Sequence, residues 1–183
     1  MTITGEITRP VVREGMLLVV DAQNLYYSAR ELFGRGSRID FKKLKSLIVG
    51  DRQFSVVYGV AYVPELRDTT KGDAKSLVRA LQRFGYETVS READFDHQVG
   101  ELSSIAPTFQ VIAIASGDGA FLPLCETARA NGQRVEVYSF MDSANSEIPG
   151  KVDEFVYLKA TVLMGDFATI VQTETPDETK PAE

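Results

Sequence analysis

The chain has 183 residues, 44% hydrophobic and 25% charged, with a formal net charge of −6. That length suits one domain with a substantial core, and no stretch approaches the roughly 20 apolar residues of a membrane-spanning helix. The negative balance argues against a protein that lives by coating nucleic acid. The single Cys125 cannot form an internal disulfide, which fits a reducing cytoplasm, and residues 1–15 lack the apolar stretch of a secretory signal. The expected organisation is an N-terminal arm over 1–15, one domain over 16–171 and an acidic disordered tail over 172–183. In the tail Glu174, Asp177, Glu178 and Glu183 outweigh Lys180, between Pro176 and Pro181.

The apolar pattern then alternates strand and helix. Residues 16–21 are continuously apolar up to Asp21 and read as a fully buried strand. A helix over 24–33 follows, stopped by Gly34 and Gly36. Asp40 stands as N-cap of a second helix with Phe41, Leu44, Leu47 and Ile48 on one face. Residues 54–63 form the second strand, broken by Pro64. Thr69 or Thr70 opens a third helix with Ala74, Leu77, Val78 and Leu81 inward and Gly85 as its stop. A short third strand spans 86–90. A helix over 96–105 turns Val99 and Leu102 inward and ends before Pro107. The fourth strand covers 109–115. A helix over 119–131 buries Phe121, Leu122, Cys125 and Ala128 and stops at Gly132. The fifth strand covers 134–140, and the pieces around 152–158 and 162–170 carry no decisive period.

Strands separated by helices need crossover connections, so the fold class is α/β with a mainly parallel sheet flanked by helices. In such sheets ligands collect in the crevice beyond the strand C-termini. Asp21 ends one buried strand and Asp118 follows another. If those strands are neighbours, two carboxylates enter the crevice together and need a proton or a cation. A divalent metal with oxygen ligands meets that need. Each aspartate also has a purely structural reading, as a turn or cap residue at a helix start.

The segment Val20-Asp21-Ala22-Gln23-Asn24-Leu25-Tyr26-Tyr27 resembles the opening motif of the NYN domain, in the LabA-like branch of the PIN-like nucleases. Ser116-Gly117-Asp118-Gly119-Ala120-Phe121-Leu122-Pro123-Leu124 resembles the family's S-G-D-x-D-F-x-P-L motif. Gly132-Gln133-Arg134-Val135-Glu136-Val137 and Val152-Asp153-Glu154-Phe155-Val156-Tyr157-Leu158 follow in family order. The resemblance implies a Rossmann-like, PIN-like fold, an acidic cluster holding Mg²⁺ or Mn²⁺, and cleavage of single-stranded or locally unpaired RNA. It carries the metal-holding and catalytic roles to Asp21, Asp118 and Asp96, with Asp94 as the alternative to Asp96. It gives supporting roles to Asn24 and Ser116. A metal pair lowers the pKa of a bound water and steadies charge on the phosphate.

Departures from the family pattern are as informative. The second Asp of S-G-D-x-D is Ala120 here, and the Lys-Gly that precedes the third acid is absent. Glu101, five residues past Asp96, does not share its helix face squarely. Lys71-Gly72-Asp73 imitates the missing motif one strand too early, so Asp73 reads as a solvated first-turn residue. His97, the lone histidine, reads as a helix-end residue, and no Cys/His set supports zinc. For nucleic acid, Tyr26 and Tyr27 are candidate stacking groups, and Arg30, Arg35, Arg38 and Lys42 are candidate phosphate contacts. Lys43 and Lys45 read as a solvated helix face. The leading expectation is a metal-dependent endoribonuclease. A degenerate module that binds RNA or a protein partner without cutting is the second reading, and a phosphatase or other metal hydrolase the third. A protein partner or a homo-oligomer is compatible with all of them.

Overall fold

The computed structural model describes residues 15–64 and 71–165. Residues 1–14 of the N-terminal arm, the helix start at Thr69 or Thr70, residues 166–170 and the acidic tail lie outside the described residues, while Gly15 opens the first strand.

The chain runs β1 (Gly15–Asp21), α1 (Ala22–Phe33), α2 (Phe41–Val49), β2 (Val56–Val63), α3 (Lys71–Arg83), β3 (Tyr86–Ser90), α4 (Phe95–Glu101), β4 (Val111–Ala115), α5 (Leu122–Ala130), β5 (Arg134–Ser139) and β6 (Glu154–Tyr157). All strand pairings are parallel, in the order β3-β2-β1-β4-β5-β6. The expected mainly parallel α/β sheet is therefore present, and it is parallel throughout. No described helix is long and apolar enough to cross a membrane.

β1 is central and every one of its residues is buried. Its alternate side chains feed two cores. Met16, Leu18 and Val20 pack with Leu25 and Ala29 of α1, Leu44 and Ile48 of α2 and Leu81 of α3. Leu17 and Val19 pack with Phe95 and Val99 of α4 and Leu124, Cys125 and Ala128 of α5. A strand covered on both faces has no polar side to show, which is why its sequence is continuously apolar. Cys125 lies inside the second core, and burial pushes its thiol up to about 12.

Several boundaries move from the sequence expectation. α4 starts at Phe95, because the Asp94 side chain accepts the His97 N–H as its N-cap. Beyond Glu101 the chain continues in 3₁₀ turns, Leu102–Ser104 and Ala106–Thr108, rather than as α-helix to 105. Pro107 has no N–H to donate to a longer helix. Gly119–Phe121 is likewise a 3₁₀ turn before α5. The undecided 152–158 piece supplies the edge strand β6. Of the 162–170 piece, Leu163 bridges to Ile39. Gly85 and Gly132 stop α3 and α5 with φ of 79° and 78°, a left-handed turn that favours glycine.

One charged group is fully inside the protein on β5. Glu136 has no solvent exposure and accepts from both terminal nitrogens of the Arg52 guanidinium at 2.6 and 3.0 Å, from Arg134 at 2.7 Å and from the Tyr138 hydroxyl at 2.9 Å. Burial alone would raise its pKa, but these donors outweigh it and hold the carboxyl below its ordinary 4.5. The depressed value means the stabilisation is complete above pH 4.5 and lost as pH falls through the folded-state pKa. Glu136→Gln is expected to cost about 2–3 kcal/mol at pH 7. Urea unfolding at pH 7 and pH 3 checks this, with the gap between wild type and variant closing at the acidic pH.

Candidate metal centre

Strand order reverses beside β1: β2 and β3 extend one way, and β4 starts the other half of the sheet. β1 and β4 are direct neighbours, with Val20 level with Ala115. Asp21 closes β1, and Asp118 lies three residues past the end of β4. Both therefore meet in the crevice at the topological switch point, the place where parallel α/β sheets collect ligands.

The two aspartates behave alike. Asp21 Oδ1 accepts the Asn24 N–H at 3.0 Å and caps α1. Asp118 Oδ1 accepts the Ala120 N–H at 3.0 Å and caps the 3₁₀ turn before α5. The capping reading of each residue is thus correct for one oxygen. The other oxygen does something different. Asp21 Oδ2 accepts from one guanidinium nitrogen of Arg91, and Asp118 Oδ2 accepts from the other at 2.8 Å. Asp21 is completely buried, while the Asp118 side chain is 29% exposed. Burial pushes the Asp21 carboxyl above its ordinary range. The Asn24 N–H and Arg91 offset part of that, and Asp118 adds to it.

Ser116 and Asn24 brace the pair. Ser116 is buried; its hydroxyl accepts the Asp118 N–H at 3.1 Å and lies 3.5 Å from Asp21 Oδ2. The Asn24 side-chain oxygen accepts the Gly117 N–H at 3.0 Å and so ties α1 to the loop after β4. The helix cap is Asp21, and Asn24 acts as this cross-link. Gly117 also accepts the Asn145 N–H at 2.8 Å from the segment after β5.

Arg91 escaped the sequence reading. It directly follows the edge strand β3, and its N–H continues the ladder to Val63 at 2.8 Å. The signal was its position: a residue just past a parallel strand's C-terminus, like Asp21 and Asp118, faces the same crevice.

The third expected acid does not join the pair. Asp94 caps α4, and Asp96 is exposed in the first turn of that helix. Among the described residues no three acidic, histidine or cysteine side chains gather into a metal-sized cluster. His97 is exposed on α4. Glu101 and Asp21 both act on buried Tyr62, whose hydroxyl is raised to about 12, chiefly by burial.

The expected nucleic-acid residues divide. Tyr26 and Tyr27 are exposed on α1, the helix that Asp21 caps, with ring centroids 5.4 Å apart. Arg30 covers the Tyr26 ring at 5.0 Å. Arg35 and Arg38 are exposed between α1 and α2, and Lys42 is exposed at the start of α2. Lys43 and Lys45 are not merely solvated. Their ammonium groups donate to the backbone oxygens of Leu163 and Phe84 at 3.1 and 2.9 Å, tying α2 to its neighbours. Asp73 lies in α3.

The NYN domain family matches residues 16–159. The chain belongs to the NYN domain family. These proteins are generally nucleases of the PIN-like superfamily and typically use divalent metals. The fold is similar to that of VPA0982, a protein of unknown function from Vibrio parahaemolyticus. The two are 23% identical with a TM-score of 0.69, over 85% of this chain and 99% of that one. A match to a ureidoglycine-glyoxylate aminotransferase from Bacillus subtilis covers 64% of this chain and 33% of that one. At 13% identity and a TM-score of 0.29, it carries no structural argument. No curated protein sequence matches the chain significantly.

The oxygens at the switch point fit a hard cation. Two carboxylate oxygens already converge on one positive group, with the Ser116 hydroxyl beside Asp21 Oδ2. Mg²⁺ commonly takes one or two carboxylates and keeps several waters. Zinc would prefer sulfur or imidazole, and Cys125 is locked in the core.

The loop that presents Asp118 has no spare space. A Cβ on Gly117 would lie 2.2 Å from the Ser143 backbone oxygen and 2.6 Å from Ser139 Oγ. Gly117→Ala is expected to destabilise the fold by about 1–3 kcal/mol, since backbone must shift to admit it. Thermal unfolding checks this, with Gly150→Ala as control because a Cβ there meets nothing within 4 Å.

Proposed function

We propose that this protein is a metal-dependent endoribonuclease of the LabA-like branch, acting on single-stranded or locally unpaired RNA in the cytoplasm. The observation that supports it most is the convergence of Asp21 and Asp118 on one cation at the switch point of an NYN domain. Asp21 and Asp118 would hold Mg²⁺ or Mn²⁺, with Asp96 as the third acid once substrate and metal are bound. When bound, the ion supplies an activated water and neutralises charge on the phosphate. The protein's own groups do the rest. Ser116 orients the Asp21 carboxylate. Asn24 fixes the loop that carries Asp118. Tyr26 and Tyr27 offer rings on which unpaired bases stack. Arg30, Arg35, Arg38 and Lys42 lead the backbone toward the crevice. The working domain is 16–171, with the arm and tail outside it.

A fluorescent single-stranded RNA and its duplex, incubated with Mg²⁺ or Mn²⁺, test the reading. Cleavage of the single strand is expected, stopped by chelator and lowered about a hundredfold or more in Asp118→Asn. Equal cleavage by the variant, or none by wild type with either metal, defeats it. Tyr27→Ala is expected to weaken RNA binding about tenfold, by fluorescence anisotropy, while leaving the fold intact because the ring is 60% exposed.

Two observations favour a second reading, a module that binds RNA or a protein partner without cutting. Ala120 stands where the family motif has an acid, and its N–H is bonded to Asp118 Oδ1. Asp96 does not join the described pair. RNA binding without product, together with cleavage appearing in Ala120→Asp, would establish the degenerate module over the nuclease.

A further inference from the structure

Arg91 is built into its position. Its backbone continues the β3 ladder to Val63. The buried Gln98 side chain grips the residues on either side, accepting the Glu92 N–H at 3.1 Å and donating to the Ser90 oxygen at 2.7 Å. The guanidinium lies 3.6 Å from the centroid of the Phe95 ring. Phe95 in turn stands edge-on to Tyr62 at 5.1 Å and to Phe121 at 5.6 Å. From this aromatic platform the guanidinium reaches both aspartates, and only 20% of the Arg91 side chain is exposed. An incidental surface ion pair needs no such support, and it would be worth little.

The charge count of the gap is two negative and one positive. Each aspartate spends Oδ1 on a backbone N–H and turns Oδ2 to Arg91. A divalent ion on those same two oxygens would stand within a few ångströms of the guanidinium. Like charges that close repel strongly where water is scarce, and Asp21 has no solvent exposure.

We propose that the Arg91 guanidinium and a divalent, oxygen-seeking cation are alternative occupants of the gap between Asp21 and Asp118, so that metal loading requires Arg91 to release both carboxylates. The inference rests on the reading of the gap as a metal site. Arg91 is then an internal counter-cation. It neutralises the carboxylates when no metal is present and lowers the apparent affinity for metal by having to leave.

Calorimetric titration of Mn²⁺ and Mg²⁺ into the full chain reads the exchange directly. Arg91→Ala and Arg91→Gln are expected to bind metal about tenfold tighter than wild type or better, since the lost contacts are charge-assisted hydrogen bonds. Their melting temperatures are expected to rise more on metal addition than that of wild type. Wild-type affinity in both Arg91 variants, with binding abolished in Asp118→Asn, overturns the exchange and leaves the metal site standing. Absence of binding in every form overturns the metal reading and the exchange together. Because the Arg91 variants strand two carboxylates, the wild-type protein supplies an independent readout. Its Arg91 guanidinium NMR signals are expected to shift and to lose exchange protection as Mg²⁺ saturates the site. Signals unchanged at saturation overturn the proposal.

Discussion

Two carboxylates brought to the same end of a parallel sheet create an electrostatic problem that the rest of this structure is arranged to solve. Asp21 is wholly buried and Asp118 partly so, and both face the point where strand order reverses. A buried carboxylate needs a counter-charge there. Arg91 supplies it from the far edge of the sheet, two strands away from β1. The site therefore depends on long-range order. β3 must pair with β2 and β2 with β1 before the guanidinium can reach the aspartates. The two caps, Asp21 on α1 and Asp118 on the turn before α5, then orient each carboxylate so that one oxygen remains for the gap.

Among the described residues, two fully buried acids differ in their surroundings. Glu136 and Asp21 are equally inaccessible. Glu136 is surrounded by two arginines and a tyrosine, and its pKa is lowered. Asp21 shares a single arginine with a second carboxylate, and burial, with a smaller push from Asp118, raises its pKa. Glu136 is in this sense a finished ion cluster that ties the segment after α2 to β5. The Asp21 gap is under-neutralised. Under-compensated charge in a crevice is a common mark of a working site, and it agrees with membership of a family of nucleases. With one guanidinium between two carboxylates, Arg91 competes for whatever cation the gap receives.

The sequence by itself determined the α/β fold class and most of its elements, though not the strand order. Continuous apolar runs at β1 and β4, helical faces between strands, and glycine stops at Gly85 and Gly132 are local patterns, and each encodes its element without reference to the others. The placement of Asp21 and Asp118 at strand ends was equally legible, because strand direction in a parallel sheet sends every C-terminus to one side. Asn24 and Ser116 were legible as neighbours of those ends, although the cross-link from Asn24 to Gly117 was not. The tertiary structure alone decided which charges meet. Asp96 is near in the motif, yet it projects into solvent from the first turn of α4, since Asp94 takes the cap and sets the helix phase. Arg91 lies 70 residues from Asp21 and joins it only through the pairing of β1, β2 and β3. Helix and strand periods act over a few residues, whereas a counter-charge is chosen by distance in space, and that distance exists only after the sheet has closed.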